Sequence, residues 1–465
     1  MRTIHEECGV FGAFGVDRAA AATLVGLSTL QHRGQEGCGV ATLEKDGLMA
    51  VRKGLGLVSQ VFPRDAYDTH PGHFAIGHVR YGTSGGGELD NVQPFVFRCS
   101  TGDYAIVHNG NIVNTEELKV RLERMGTLFR SSSDSEILGH LIRSMSAPHE
   151  GVTVHSLQRA LNQIDGAFSF LVLTRERLYA CRDKYGFRPL SIGRLGESYV
   201  LASETCALHA VGAEILRDVE PGELVEIGPE GIRSTHFAGT HRNAMCAMEF
   251  IYFARPDSDI EGVNVHTYRQ QAGRILFEES PAEADMVFGV PDSGISGAIG
   301  YSRASGLPLE TGLIKNFYVG RTFIQPTQGL RRTGVRMKLT PVPSVVRGKR
   351  VVVIDDSIVR GTTSQQIVHM LREAGAAEIH LRITSAPLRH PCYYGVDIST
   401  EAELISARMG VDEVCRFIGA DSLAFLSEAG MLDAGRRSDL CMACFNGDYP
   451  TALYSHEGDS GSSLE

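Results

Sequence analysis

Residues 350–364 read RVVVIDDSIVRGTTS, and the change of character inside this stretch decides the fold. Val351, Val352, Val353 and Ile354 form a short β-branched run without polar alternation, the pattern of a parallel strand covered on both faces. Asp355 and Asp356 stand where that strand ends, and Arg360, Gly361, Thr362, Thr363 and Ser364 follow. Ile367, Met370, Leu371 and Ala374 then recur at helical spacing, so the polar segment is a strand-to-helix loop. Backbone N–H groups at a helix start bind phosphate, a glycine lets the backbone approach it, and hydroxyls add donors. The paired acids would repel a phosphate; they suit ribose hydroxyls or a divalent cation carried by a second phosphate group. Both halves together describe a site for a sugar phosphorylated at both ends. A strand followed by a capped helix is the better account of a lone DD or GTT, so the ligand reading rests on the whole string.

Outward from this point the chain divides in two. From about residue 241, helices alternate with short β-branched strands. TYRQQAGRILFEE (267–279) reads as a helix, ADMVFGV (284–290) as a strand, and PDSGISGAIGYSRASG (291–306) as a loop entering a helix. EIHLRITSAP (378–387) is another strand, and 401–410 and 411–430 read as two helical pieces. This is a doubly wound parallel sheet, whose ligand sits at the carboxyl ends of the strands. Before residue 235 the order differs: strands at 8–16, 37–44, 73–83 and 104–114, helices at 19–30 and 131–145, then more strands. Asn114 and Glu117 have capping-box spacing for a further helix. Runs of strands, helices and strands predict a layered α/β sandwich.

The composition excludes several classes. A net charge of −10 and a pI near 6.0 give no general attraction for nucleic acid or an anionic membrane. No apolar run approaches the roughly 18 residues of a membrane span. Glu6 and Glu7 stand where a signal peptide would be basic and then apolar, so a cytoplasmic location is expected. There, ten cysteines do not read as a disulfide framework. An anionic substrate must be held by a local basic cluster, and 315–339 supplies one with Lys315, Arg321, Arg331, Arg332, Arg336 and Lys338. Its Gly and Pro breakers suit a lid.

The string VVVIDDSIVRGTTS closely resembles the phosphoribosyl-diphosphate (PRPP) motif of the type I phosphoribosyltransferases. The resemblance implies that Asp355, Asp356, Arg360, Gly361, Thr362 and Thr363 contact PRPP. It implies a diphosphate loop at Asp292, Ser293 and Gly294, with Arg332 and Lys338 from the basic stretch. Ser293, Asp355 and Asp356 would then surround Mg²⁺.

A second resemblance covers the first half. CGVFG (8–12), QHRGQEG (31–37), HVRYGTSG (78–85), VHNGNIVN (107–114) and SSSDSE (131–136) occur in that order. Together they are similar to the glutamine amidotransferase domain of the N-terminal-nucleophile (Ntn) hydrolases, which frees ammonia from glutamine through a thioester. Cys8 would be the nucleophile and its own α-amine, with a pKa of about 7.7–8, the base. That requires removal of residues 1–7 as a propeptide. Asn109 and the Gly110 N–H would form the oxyanion hole. Arg80 would pair with the glutamine α-carboxylate, with Thr83 nearby, and Asp134 would hold the α-ammonium, with Arg33 and Gly34 in a loop lining the pocket.

Cys441 and Cys444 have metal-ligand spacing, and Cys246 and Cys392 lie at changes of pattern. Spacing alone leaves open buried thiols, zinc or a redox pair. From Cys8 to about Tyr454 the chain resembles the glutamine–PRPP amidotransferases, one branch of which carries a 4Fe–4S cluster on cysteines in matching contexts. The resemblance therefore implies a propeptide at 1–7, an Ntn-hydrolase αββα sandwich over 8–235 and a type I phosphoribosyltransferase domain over 236–455. Residues 456–465 read as a disordered tail. It also implies a homotetramer inhibited by purine nucleotides. The alternatives are a phosphoribosyltransferase with a non-catalytic Ntn-like regulatory domain, and a non-enzymatic PRPP or nucleotide sensor.

Overall fold

The computed structural model describes residues 8–43, 47–63, 72–81, 89–239, 242–316, 338–396, 398 and 400–453. The expected propeptide at 1–7, Thr83, Arg332 with most of the basic stretch, and the tail at 456–465 lie outside the described residues.

Two antiparallel sheets face each other in the first half. One runs Glu214–Asp218, Ser191–Leu195, Ser198–Ala202, Gly9–Phe14, Phe74–Arg80, Gly37–Leu43, Met49–Leu55. The other runs Gly231–His236, Glu223–Gly228, Leu178–Arg182, Gly166–Leu173, Tyr104–Ile112, Phe95–Phe97. Side chains alternate between the faces of a strand. Val10, Phe14 and Ile76 accordingly meet Ala105, Val107 and Leu171 in one core between the sheets. Phe11 and Ala13 turn outward to a core shared with Leu24 and Leu27 of the helix Ala19–Thr29. On the far side Ile106, Phe168 and Phe170 pack on Leu118, Leu138, Leu141 and Leu157, from the helices Thr115–Arg124, Glu136–Met145 and Val154–Leu161. The expected αββα sandwich results.

The second half is built on a parallel sheet in the order Met286–Gly289, Arg350–Asp355, Glu378–Ile383, Ser422–Phe425. The central strand shows why its sequence does not alternate. Val351 and Val353 enter one core with Ile367 and Leu371, while Val352 and Ile354 enter another with Tyr268 and Ala298. Both faces are covered. The helices Val265–Glu279 and Gly294–Ser305 cross backbone to backbone. A Cβ on Gly273 would stand 1.9 Å from the Gly297 carbonyl oxygen, and one on Gly300 would stand 1.8 Å from that of Gln270.

Two expectations are corrected. Asn114 does not cap through its side chain; it bonds Asp165 N and Gln163 O, which ties the helix start to a neighbouring loop. The piece 411–430 is not one helix. Val411–Ile418 ends at Gly419, with φ of 82°, and Ser422–Phe425 joins the sheet as its edge strand. Among the described residues no helix is long and apolar enough to cross a membrane.

Candidate active sites

Cys8 directly precedes the strand Gly9–Phe14 and is buried. Gly9 pairs with Val79, so continuing that antiparallel register by one residue sets Cys8 opposite Arg80. Ile76 faces the inter-sheet core; His78 and Arg80, two and four residues on, face the same way. From the opposing sheet Ala105 and Val107 enter that core, which directs Asn109 toward the strands carrying Cys8 and Arg80. Asn109 is 0 % exposed and neither polar atom of its amide has a hydrogen-bond partner. Such a group costs about 1–3 kcal/mol to bury, so its retention points to a ligand. Gly110 follows with φ of 144°. Gly34 is required by contact: a Cβ there would lie 2.5 Å from the Arg80 carbonyl carbon. The turn around Gly34 thereby buttresses the strand end that presents Arg80.

Asp134 accepts Ile112 N at 2.9 Å and the Ser135 hydroxyl at 3.2 Å, with His108 Nδ1 at 3.7 Å. Burial pushes its carboxyl up, but His108 and these hydrogen bonds outweigh burial and hold it below the usual range. It is held in the ionised form. His78 is buried with both ring nitrogens unpartnered; burial and then the Arg80 charge lower its pKa to about 3, so it is neutral.

Arg33, expected in the loop that lines the pocket, is buried. Its Nε donates to the Cys8 carbonyl at 2.9 Å, and its other nitrogens donate to Glu204 at 2.6 Å and Glu249 at 2.7 and 3.0 Å. Burial opposes its charge, yet Glu249 and Glu204 hold the guanidinium firmly protonated. Glu204, Glu249 and Arg188, which donates to Glu249 at 2.9 Å, were missed from the sequence. The available signal was a single acid inside the apolar run AMEFIYF (247–253).

The second constellation lies at the carboxyl ends of adjacent parallel strands. Asp355 and Asp356 are 8 % and 7 % exposed. Burial raises both carboxyls, that of Asp355 strongly and further through the neighbouring Asp356 charge. Ser357 donates a hydrogen bond to Asp356, and Ser293, Ser357 and the charge of buried Arg269 offset part of the rise that burial causes. Gly294 opens its helix so close to the strand that a Cβ would stand 2.3 Å from the Ile354 carbonyl oxygen. The two loops therefore meet. Gly361 caps the next helix with φ of 74°, leaving Thr362 and Thr363 exposed in its first turn. Other expected contacts are engaged within the protein: Asp292 pairs with Lys315, Arg360 donates to Glu403 at 2.8 Å, and the Lys338 carbonyl accepts Asn316 N.

Cys246, Cys392, Cys441 and Cys444 are all buried in one core. Met245–Cys246 pairs in parallel with Leu440–Cys441, Cys246 beside Cys441, which returns the C-terminal segment to the junction between the halves. Burial raises all four thiols, and neighbouring thiols raise those of Cys246, Cys441 and Cys444 further. Among the described residues no three His, Cys, Asp or Glu side chains gather as they would around a single metal ion.

Fold and sites together define a glutamine amidotransferase joined to a phosphoribosyltransferase. The glutamine amidotransferase domain family matches residues 87–210 and the phosphoribosyl transferase domain family residues 270–407. The chain belongs to the amidophosphoribosyltransferase family. It is 51% identical over 461 residues to the amidophosphoribosyltransferase of Bacillus subtilis (strain 168), covering 98% of this chain and 96% of that one. The Synechococcus elongatus amidophosphoribosyltransferase is 47% identical over 457 residues, covering 97% and 92%. The fold matches a solved structure of the allosteric regulatory enzyme of purine biosynthesis with a TM-score of 0.90 and 52% identity, over 96% of this chain and 97% of the other. It equally matches the B. subtilis glutamine PRPP amidotransferase solved with ADP and GMP, with a TM-score of 0.90 and 51% identity, over 96% and 98%.

Proposed function

We propose that this chain converts PRPP, glutamine and water to 5-phosphoribosylamine, glutamate and pyrophosphate, the entry step of purine synthesis. The observation that carries this reading is family membership from end to end in a chain that holds both constellations. Once residues 1–7 are removed by self-cleavage, the Cys8 α-amine takes the thiol proton and the sulfur attacks the glutamine amide carbon. The amide of Asn109 and the Gly110 N–H stabilise the oxyanion. Arg80 pairs with the α-carboxylate, with Thr83 nearby, and Asp134 holds the α-ammonium. Ammonia leaves with the proton returned by the amine, and water then cleaves the thioester to glutamate. At the second site ammonia attacks C1 of PRPP and pyrophosphate departs.

Two adjacent buried carboxylates with raised pKa values are costly unless a cation joins them, which fits Asp355, Asp356 and Ser293 around substrate-borne Mg²⁺. That ion would neutralise charge on the leaving pyrophosphate. Four buried thiols in one core offer the all-thiolate donor set of a 4Fe–4S cluster, which Cys246, Cys392, Cys441 and Cys444 would hold. Such a cluster would act as a cross-link at the junction. Inhibition by purine nucleotides, a homotetramer and a cytoplasmic location complete the proposal; the first is supported by the relative solved with ADP and GMP. A non-catalytic first domain is disfavoured by the unpartnered Asn109 amide.

The test is one assay of glutamate and phosphoribosylamine, with glutamine or ammonia, with and without PRPP and Mg²⁺. Both nitrogen sources should yield phosphoribosylamine, and PRPP should raise glutamate release. Synthesis from ammonia but never from glutamine would overturn the reading in favour of the regulatory-domain alternative.

A further inference from the structure

Glu249 is 0 % exposed and opens a π-helical turn, Glu249–Phe253. Single π-turns are rare and concentrate at functional sites. The Glu249 carboxylate accepts three hydrogen bonds from two guanidinium groups: Arg33 at 2.7 and 3.0 Å, and Arg188 at 2.9 Å. Each arginine is fixed at its other end. Arg33 Nε grips the Cys8 carbonyl at 2.9 Å. Arg188 donates to the Tyr394 carbonyl at 2.8 Å and lies over the Phe253 ring at 5.7 Å. Glu204 holds the other edge of Arg33 at 2.6 Å and is itself held by His32 at 2.7 Å, Arg255 N at 2.9 Å and Ser258 at 2.7 Å.

We propose that Glu249 is a positioning residue for glutamine hydrolysis: through Arg33 it sets the backbone of Cys8, and with it the direction of the thiol and the α-amine. The argument is geometric. Arg33 presents one edge to the nucleophile, and the rest of its fork is oriented by Glu249 and Glu204. Two arginines and two glutamates balance in charge inside the protein, so loss of the Glu249 charge leaves a guanidinium in excess. An amide in its place offers an N–H₂ to a guanidinium donor, and the fork must turn. Cys8 immediately precedes its strand and its carbonyl is held by this fork, so a turn there moves the sulfur directly. A displacement of about 1 Å costs on the order of 10²-fold in rate.

The inference rests on the glutaminase reading of Cys8. The experiment compares wild type, Glu249→Gln and Glu249→Asp in full-length protein. It reads kcat and KM for glutamine, synthesis from ammonia, and the rate of Cys8 alkylation by iodoacetamide. Glu249→Gln should lose about 10²-fold in glutamine kcat and alkylate at an altered rate. KM for glutamine and ammonia-dependent synthesis should stay within a few-fold. Glu249→Asp, which keeps the charge on a shorter arm, should recover part of the loss. Unchanged glutamine kcat, or parallel loss of both nitrogen sources, would overturn the assignment. If Glu249→Gln yields no soluble protein, Glu249→Asp decides by the same ratio of glutamine to ammonia rates. Absent glutamine-dependent synthesis in wild type would instead remove the glutaminase reading itself.

Discussion

Replacing Asn109 by alanine should abolish most glutamine hydrolysis while leaving stability nearly unchanged, and the opposition of these effects is the test. In the resting protein the Asn109 amide is buried and makes no hydrogen bond. Alanine therefore breaks no native bond, and it removes a desolvation cost of about 1–3 kcal/mol. The vacated space takes back a similar amount, because a cavity left by large-to-small exchange costs roughly 24 cal/mol per Å³. The two nearly cancel, and Tm should shift by only a few degrees in either direction. The reaction has no such compensation. Removing one oxyanion donor costs about 2.7–4 kcal/mol, or 10²–10³ in kcat. Glutamate release, ammonia-dependent synthesis and a calorimetric Tm measured on one preparation decide the matter. A large drop in Tm with glutamine kcat intact would show that Asn109 holds the sheets together and meets no oxyanion.

Three other perturbations read the remaining parts. Cys8→Ala should abolish synthesis from glutamine, retain it from ammonia and leave residues 1–7 attached; mass spectrometry of a wild-type protein still beginning at Met1, yet active with glutamine, would refute the amine base. Asp355→Asn with Asp356→Asn should cripple synthesis from both nitrogen sources. Because both folded carboxyls are raised above the unfolded value of about 3.9, the native state binds the extra protons, so this pair's stability contribution is present at low pH and lost as pH rises through the folded values. The double variant should lack that slope in metal-free protein, as a difference in Tm against pH would reveal. Anaerobically purified protein should be brown with iron and sulfide near equal amounts, and Cys444→Ser should lose colour and folded yield; a colourless, zinc-containing wild type would contradict the cluster.

The sequence disclosed what depends on local pattern. Val351 to Ile354 announced a strand buried on both faces, and the adjoining acids and glycine announced its loop, because strand, turn and helix each leave a periodicity. Residues whose role arises only from tertiary meeting stayed hidden. Arg33, Glu204 and Glu249 are far apart in the chain, and a charged residue carries no mark of the partner that will neutralise it. Asn114 failed as a cap for the same reason: a loop some fifty positions away competes for its amide. The edge strand Ser422–Phe425 was absorbed into a helical reading because four half-buried residues do not establish a period of two.

The crossing of Val265–Glu279 and Gly294–Ser305 has a thermodynamic corollary. Where Gly273 meets Gly297 and Gly300 meets Gln270, peptide groups touch with no side-chain layer between them. Such a joint cannot slide or repack, so the turn at Ser293 and Gly294 is held as part of a stiff plate. Phosphate loops ordinarily forfeit conformational entropy when the ligand arrives. Here much of that loss was taken when the chain folded, and the diphosphate would meet a surface already shaped for it.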